Sequence, residues 1–184
     1  SVTEQWAVAT LSGPNAGKIL QDAGIDFDLS PAEFPFMSMK TGHIGGLAAR
    51  IFRISFTGEL SYEINVAARH GLALWTRLMD AGKAHGITPY GTEAMHVLRA
   101  EKGFIIVGQE TDGSVTPHDL GMDWIVPKNK PDFIGKRALA RHTMKYDDRK
   151  QLVGLLCSDP SKVIPEGAHA VIDPDQPLPM KMLG

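Results

Sequence analysis

Residues Ile51–Val66 read IFRISFTGELSYEINV, and this stretch predicts two short β-strands joined by a tight turn. In each half, apolar and polar side chains alternate, which is the two-residue period of a strand with one buried face. Gly58 supplies the backbone freedom that a Thr-Gly-Glu turn requires. The alternating apolar residues are Phe52, Ile54 and Phe56 in the first strand and Tyr62, Ile64 and Val66 in the second. We therefore expect an antiparallel hairpin at the centre of the fold.

The second predicted strand carries a carboxylate, Glu63, in its interior. Burying a carboxylate without a partner is costly, so the strand period alone favours a solvated Glu63 on the polar face. The alternative is that Glu63 lines a pocket and accepts two parallel hydrogen bonds from a planar N–H pair, such as the edge of a guanidine or a pterin. Composition does not choose between these two interpretations.

The overall composition is that of ordinary soluble globular protein, with 184 residues of which 43% are hydrophobic and 22% charged. This length fits one domain, or one domain with part of another. The formal net charge of -2 provides no basic field for nucleic acid, and no apolar run is long enough to span a membrane. The single Cys157 excludes an internal disulfide framework and a cysteine-based metal cluster. We expect a cytoplasmic protein without nucleic-acid or membrane partners.

The rest of the pattern predicts helices and short strands around the hairpin. Four apolar residues of the helix that follows the hairpin share one face at three- and four-residue spacing, which predicts a core position for them. They are Leu72, Trp75, Leu78 and Met79. The predicted elements are a strand at Trp6–Leu11, helices at Asn15–Ala23, Ala68–Gly82 and Thr92–Lys102, a short buried strand at Phe104–Val107 and a helix that begins near Phe133.

The C-terminal part of the sequence offers weaker signals. His118, Asp119 and Asp123 could bind a metal, but three scattered ligands carry little specificity, so no metal site is predicted. The charged run Lys145–Lys150 is predicted to be a linker or a solvated helix end. A strand-like segment at Gln151–Ser158 opens the remaining tail, and about thirty residues in strands cannot build an independent barrel. The chain is therefore expected to be a fragment that stops inside a second domain.

Four motifs, in fixed order along the chain, resemble the folate-binding aminomethyltransferase family, which includes the T-protein of glycine cleavage. They are ISFTGELSYEI (54–64), GTEAMHVLRAEKG (91–103), GQETD (108–112) and PDFIGKRAL (131–139). Together they cover nearly the whole chain, and their residues are most similar to those of the sarcosine oxidase branch of the family. The resemblance implies an α+β fold. It also implies a folate-binding aminomethyltransferase-like domain at 1–146, with its N-terminal part missing, and the truncated start of a C-terminal β-barrel domain at 147–184.

The resemblance also implies a tetrahydrofolate site. Glu63 matches the carboxylate that holds the pterin edge in this family, and this match favours the ligand interpretation over the solvated one. Phe56 and Tyr62 are near enough in sequence to help form the walls of a site for a flat ring, although packing alone would also explain both. T-proteins carry a folate-binding arginine where this chain has Met95, so this replacement favours the sarcosine oxidase branch. Arg99 is expected either to bind folate or to form a structural ion pair.

For function, the resemblance implies the transfer of a one-carbon unit. Sarcosine would be oxidised at a flavin elsewhere, and tetrahydrofolate bound here would accept the one-carbon unit, giving 5,10-methylenetetrahydrofolate and glycine. FAD, FMN and NAD are expected outside this chain, in the rest of an alpha subunit and in the other subunits of a sarcosine oxidase assembly. The isolated chain is therefore expected to be inactive, and no catalytic base is assigned. Two alternatives stay open: a glycine-cleavage-type aminomethyltransferase and a non-catalytic folate-binding scaffold.

Overall fold

A four-stranded antiparallel sheet forms the framework of the chain. The computed structural model describes residues 1–145, 148–165 and 167–183, and the chain forms two compact units, Ser1–Ile105 and Ile106–Gly184. The first unit holds the sheet, in the order β1-β4-β3-β2. Its elements are β1 (Trp6–Ser12), α1 (Ala16–Asp22), β2 (Met39–Ile44), β3 (Leu47–Phe52), β4 (Ser61–Ala67), α2 (Gly71–Gly82) and α3 (Thr92–Glu101). No helix of the described residues is long and apolar enough to cross a membrane.

Most predicted helices of this unit are confirmed, and so is its first strand. The strand β1 and the helices α1 and α3 match their predicted bounds to within one residue at each end. The helix α2 begins three residues later than predicted, at Gly71, because a separate 3-10 turn at Ala68–His70 precedes it. The predicted domain boundary between residues 146 and 147 lies outside the described residues and stays a prediction.

A hairpin of β3 and β4 lies at the centre of the sheet. The two strands pair antiparallel, and Phe52 of β3 is directly opposite Glu63 of β4. The alternation predicted for the second strand is confirmed, because its three apolar residues are buried. These are Tyr62, Ile64 and Val66. Since successive side chains of a strand point to opposite faces of the sheet, Glu63 and Asn65 lie on the other face.

The first half of the predicted hairpin is corrected by the structure. Ile54 and Phe56 are outside any strand, in an irregular loop over residues 53–60 that connects β3 to β4. The strand β3 instead begins directly after Gly45 and Gly46, which form its turn from β2 with φ values of 55° and 85°. Glycine has no Cβ and adopts such φ values without strain. Pairing with β2 therefore sets where β3 begins. The apolar alternation within 51–56 gave no indication of this starting point.

The core lies between one face of the sheet and the helices α1 and α2. The fully buried ring of Phe34 stacks on Tyr62, with centroids 6.1 Å apart and an interplanar angle of 22°. Phe27 meets Phe34 edge-on, with centroids 5.4 Å apart. The other large buried residues are Leu11, Ile19, Leu20, Ile44, Ile51, Ile64, Val66, Leu74 and Leu78. The chain thus buries one apolar side of the sheet and leaves the other side for polar residues.

The apolar stripe predicted for α2 lies only partly in the core. Leu78 is buried, but Leu72 and Trp75 are 79% and 50% exposed. The partner of Leu78 on the buried side is Leu74, which lies one turn earlier and is 1% exposed. Because this helix carries apolar residues on two sides, its sequence allows two core faces. Packing against the sheet selects the face with Leu74.

The second unit contains little regular structure among its described residues. One helical turn, α4, covers Lys136–Leu139, which places the predicted helix slightly later than its expected start. An isolated bridge pairs Val171 with Met182. The strands predicted at 104–107 and 151–158 are wrong, since neither segment pairs with a neighbour in the described part of the chain. The described residues after 147 show no barrel.

A buried ion pair organises this second unit. Asp119 is 5% exposed, and Arg149 donates hydrogen bonds to both of its carboxylate oxygens. The same carboxylate accepts the backbone N–H of Thr116 at 2.7 Å and its hydroxyl at 2.8 Å. Arg149 also donates to the carbonyl of Ser114 at 2.8 Å. The guanidinium beside Asp119 holds the pKa of this carboxyl well below its usual range.

The ion pair corrects one interpretation of the sequence and shows what Asp119 binds. Arg149 belongs to the charged run 145–150, for which the sequence predicts a linker or a solvated helix end, yet its side chain is bound within the unit. Residues 146 and 147 of that run lie outside the described residues. Asp119 is occupied by Arg149, and His118 hydrogen-bonds to Asp123. Among the residues described, no group of three or more His, Cys, Asp or Glu side chains could hold a metal ion.

Leu74→Ala should lower the free energy of unfolding by about 3 kcal/mol, because a buried leucine loses its contacts and leaves a cavity. Leu72→Ala should change it by less than about 0.5 kcal/mol, since this side chain is exposed. Urea denaturation of both variants beside the wild type measures the difference. Equal losses in the two variants would contradict the core face assigned to α2.

Asp119→Asn should destabilise the second unit by roughly 2 kcal/mol, because Arg149 loses its charged acceptor. The folded-state pKa of Asp119 is lowered, so the pair contributes fully above the unfolded-state pKa, near about pH 4. This contribution is lost as the pH falls through the folded-state pKa, and the variant should lack that acid-dependent loss.

Hydrogen exchange at the Leu152 amide measures this effect, since that N–H donates to the Asp119 carbonyl at 2.8 Å. Asp159→Asn is the matched control, because Asp159 is exposed and bonds to Ser161 in its own turn. Exchange at Leu152 should be faster in Asp119→Asn and unchanged in the control. Equal exchange in the wild type and Asp119→Asn would show that the pair does not hold the unit.

Candidate functional site

The sheet has an open face on the side opposite the core. On this side the strand residues are exposed or half-buried apart from the buried Ser61, whereas most of those on the core side pack under α1 and α2. We define the open face by Val8 and Thr10 of β1, Glu63 and Asn65 of β4, Arg50 and Phe52 of β3, and Met39 and Thr41 of β2. Its side chains include one carboxylate, one guanidinium, an aromatic ring and several hydroxyl or amide groups, which together can bind a polar planar molecule.

Glu63 lies in the middle of the open face. The strand register places Thr10 on one side of it and Phe52 on the other, and directly opposite side chains of an antiparallel sheet are about 5 Å apart. Glu63 is half-buried, and within the described residues nothing forms a hydrogen bond or an ion pair with its carboxylate. Arg50, on the same face, stacks instead on the ring of Trp6, 4.1 Å from the centroid. Both carboxylate oxygens of Glu63 can therefore accept hydrogen bonds from a ligand.

A cleft of about 640 Å³ runs along the free edge of β1. We call it the β1 cleft, and it is bounded by β1 on one side and by residues 85–95 on the other. Trp75 and Tyr90 are its aromatic walls. The Tyr90 hydroxyl donates to the Ser12 hydroxyl at 3.3 Å, and Ser12 and Ser61 share a hydrogen bond of 2.8 Å. The volume and the mixed apolar and hydroxyl lining are typical of small-molecule sites.

Met95 lines the β1 cleft together with Thr10, the cross-strand neighbour of Glu63. The carboxylate and the cleft therefore have Thr10 as a common boundary. The half-buried thioether of Met95 contributes an apolar, polarizable contact at this place and no charge.

Tyr62 does not share a surface with Glu63. It is 2% exposed, lies on the core face and stacks on Phe34. The sheet separates it from the open face, so one flat ring cannot contact both Tyr62 and Glu63. Packing in the core, the alternative explanation given for Tyr62 in the sequence analysis, therefore accounts for the position of its ring. Phe56 is exposed in the loop at 53–60, and no strand register relates it to Glu63.

Arg99 closes the turn that follows α3. Its side chain is buried, and its guanidinium donates to the carbonyl of Phe104 at 3.2 Å. In return, the Phe104 N–H donates to the Arg99 carbonyl at 2.8 Å. Gly103, with a φ of 77°, makes the tight reversal between them. The arginine thus has a structural contact at the end of α3, and a direct contact with folate stays a prediction.

Sequence reasoning missed the neighbours of Glu63. Thr10 and Phe52 flank it only because of the strand register, and Tyr90 faces Ser12 across 78 positions of the chain. Alternation in β1 could have placed Thr10 on a polar face. The sequence contains no signal for the order of the strands, so it could not have placed Thr10 beside Glu63.

The chain belongs to the family described as the GCVT N-terminal domain, whose model matches residues 1–130. It is 50% identical over 174 residues to sarcosine oxidase subunit alpha of Corynebacterium sp. (strain P-1), a match that covers 94% of this chain and 18% of that protein. It is 36% identical over 172 residues to human mitochondrial dimethylglycine dehydrogenase, covering 93% of this chain and 20% of that one. The family resemblance seen in the motifs is thereby confirmed, and the chain spans less than a fifth of the sarcosine oxidase subunits it matches.

The chain is also similar to an aminomethyltransferase and to one solved structure. The aminomethyltransferase of Chlorobaculum parvum is 35% identical over 178 residues, covering 95% of this chain and 46% of that protein. The solved structure of heterotetrameric sarcosine oxidase from Corynebacterium sp. U-96 in complex with pyrrole 2-carboxylate matches with a TM-score of 0.42 and 24% identity. That match covers 49% of this chain and 44% of the other.

Residues 58–63 form a Gly-Glu-x-x-x-Glu motif, abbreviated GExxxE. Its first residue, Gly58, packs against Lys102 at the end of α3. At Gly58 the φ angle is 80°, and a Cβ there would lie 2.0 Å from the Cγ of Lys102. Both the φ angle and the packing against Lys102 therefore require glycine. Gly46 is a useful comparison, because its φ is also positive, at 85°, but a Cβ there would meet nothing within 4 Å.

Gly58→Ala should destabilise the first unit more than Gly46→Ala. Both variants bear the cost of a Cβ at positive φ, about 1 kcal/mol or more, and only the first also displaces Lys102. Urea denaturation measures the two losses. The double variant Gly58→Ala with Lys102→Ala should recover part of the difference, because it removes the Cγ but keeps the Cβ of residue 102, which would lie 2.7 Å from the added Cβ. A loss at Gly58 no larger than that at Gly46 would show that the loop does not depend on this contact.

Proposed function

We propose that this chain is a region of a longer sarcosine oxidase-type alpha subunit and that its open face binds tetrahydrofolate. The observation that carries the proposal is the half-buried carboxylate of Glu63, which has no hydrogen-bond or ion-pair partner within the described residues. Family membership and the 50% identity to sarcosine oxidase subunit alpha support it. Glu63 is also the second glutamate of the GExxxE motif at 58–63.

In this proposal Glu63 holds the pterin ring by its edge. A carboxylate can accept two parallel hydrogen bonds from the ring nitrogen and the amino group of a pterin, which fixes both the position and the orientation of the ring. Phe52, on the next strand, offers an aromatic contact beside it. On the other side, Thr10 leads to the β1 cleft, whose aromatic and methionine lining suits the less polar part of the folate.

The proposed reaction is transfer of one carbon to the bound folate. Two-electron oxidation of sarcosine at a flavin outside this chain would give an imine whose methylene carbon is electrophilic. A folate nitrogen attacks that carbon, the glycine nitrogen leaves with a proton, and a second folate nitrogen closes the ring. The products are 5,10-methylenetetrahydrofolate and glycine. The contribution of this chain is proximity, because it holds the folate where the imine, or the formaldehyde released from it, arrives.

The partners in this proposal are the rest of the alpha subunit and the other subunits of the assembly. FAD, FMN and NAD bind in those parts, so this chain by itself oxidises nothing. Arg99 acts through position, since it holds the Phe104 turn after α3. The glycine-cleavage-type aminomethyltransferase is the rival function, favoured by the 35% identity to the Chlorobaculum parvum protein. The uncharged Met95 in the β1 cleft counts against it.

Glu63→Gln should weaken tetrahydrofolate binding by at least about 1.5 kcal/mol, because the ligand loses a charged hydrogen-bond acceptor. Isothermal titration calorimetry of tetrahydrofolate into the wild type and the variant measures this loss. Glu59→Gln is the matched control, since Glu59 is an exposed carboxylate in the connecting loop, four positions earlier. Its affinity should equal that of the wild type.

Two results would contradict this assignment. Equal affinities of the wild type and Glu63→Gln would remove Glu63 from the site and leave the folate to be placed elsewhere. Equal losses in Glu63→Gln and Glu59→Gln would show a general effect of charge rather than a specific contact. The rival function predicts that the wild-type chain itself carries out aminomethyl transfer from a lipoyl carrier and that Met95→Arg increases it, which the present proposal does not.

A further inference from the structure

A second cleft lies on the core side of the sheet, across the sheet from Glu63. It encloses about 380 Å³ and includes Gly17, Lys18, Arg53 and Tyr62 in its lining. We call it the Tyr62 cleft. It lies where α1 and the loops at 28–31 and 53–60 meet the start of β4, and it shares α1 and Pro14 with the lining of the β1 cleft.

The Tyr62 hydroxyl is directed into this cleft. The residue is 2% exposed, and its ring is held by stacking on Phe34. The hydroxyl oxygen lies beside Gly17, where a Cβ would be 3.6 Å from it. Within the described residues no group forms a hydrogen bond with this hydroxyl. Although the residue as a whole is buried, its hydroxyl oxygen stays accessible to solvent in the cleft, so it can donate its O–H to a ligand bound there.

Two cations line the cleft. The Arg53 guanidinium donates to the carbonyl of Phe34, which fixes it at the cleft. Its charge opposes the rise in the pKa of Tyr62 that burial causes. Lys18 lies on the exposed side of α1 at the cleft. Asp28 also lines the cleft, but its oxygens accept the N–H and the hydroxyl of Ser30 at 2.7 and 2.9 Å.

We propose that the Tyr62 cleft binds a small oxyanion, a carboxylate or a phosphate group, which accepts the hydrogen bond of the Tyr62 hydroxyl. Arg53 and Lys18 supply the counter-charge. Hydrogen bonds to a charged acceptor are stronger than those to a neutral one, so the two cations favour an anion over a neutral carbonyl. The volume suits a ligand at the small end of the usual range. This site does not depend on the folate proposal, because the sheet separates it from Glu63.

Titration of the chain with sodium acetate and with inorganic phosphate, at constant ionic strength, tests this proposal. NMR shifts of the Gly17 and Lys18 amides should saturate with the preferred anion, and the anion that binds more tightly separates the carboxylate from the phosphate source. Tyr62→Phe keeps the buried ring and removes only the hydroxyl, so it should weaken binding at least about tenfold. Tyr90→Phe, which removes a hydroxyl from the β1 cleft, is its matched control and should bind as the wild type does.

Lys18→Gln provides a second variant, because an exposed residue can be changed without risk to the fold. It should weaken binding, whereas Lys83→Gln should not, since Lys83 pairs with Asp80 away from this cleft. Absence of saturation with both anions, or equal affinity of Tyr62→Phe and the wild type, would overturn the proposal. Tetrahydrofolate affinity should be unchanged in Tyr62→Phe. A parallel loss of folate and anion binding would mean one shared site and would overturn the separation proposed here.

Discussion

The antiparallel pairing of β4 with both of its neighbours is the constraint on which the first unit depends. β4 is an interior strand, and its register sets Ile64 against Ile51 on one face and Glu63 against Phe52 on the other. A slip of one residue would carry Ile64 to the open side and Glu63 into the core. Burial of an unpaired carboxylate would then oppose the slip, as would the loss of apolar burial. The position of Glu63 is thus a consequence of how the core closes.

This register separates two kinds of chemistry along one strand. On the open face, Glu63 presents acceptor oxygens between a hydroxyl and an aromatic ring, as a ligand with paired N–H donors requires. On the core face, Tyr62 presents a single donor in a cleft that Arg53 and Lys18 also line, which suits an anionic ligand. Neighbouring positions of the chain therefore serve two different surfaces. The physical reason is that successive side chains of a strand point to opposite faces.

The second unit is stabilised in another way. Its described residues contain one α-helical turn, three short 3-10 turns and a single isolated bridge, so backbone pairing between distant segments contributes little. The Asp119–Arg149 ion pair instead joins residues 30 positions apart, and it also engages the backbone of Thr116 and Ser114. A buried pair of this kind is strongly destabilised when one partner is removed. This dependence explains why a residue in a charged run, which reads as solvated, carries a structural role.

The sequence by itself determined the three helices of the first unit, the strands β1 and β4, and the family. Periodicity placed β1, β4 and the helices, and the motif wording identified the GCVT N-terminal domain, because both signals lie within short stretches. Contacts between distant stretches were decided only by the tertiary structure. Pairing with β2 moved the start of β3, packing chose Leu74 over Leu72 on α2, and Arg149 was drawn to Asp119. Each of these choices depends on which surfaces meet after folding, and Glu63 gains Thr10 and Phe52 as neighbours for the same reason.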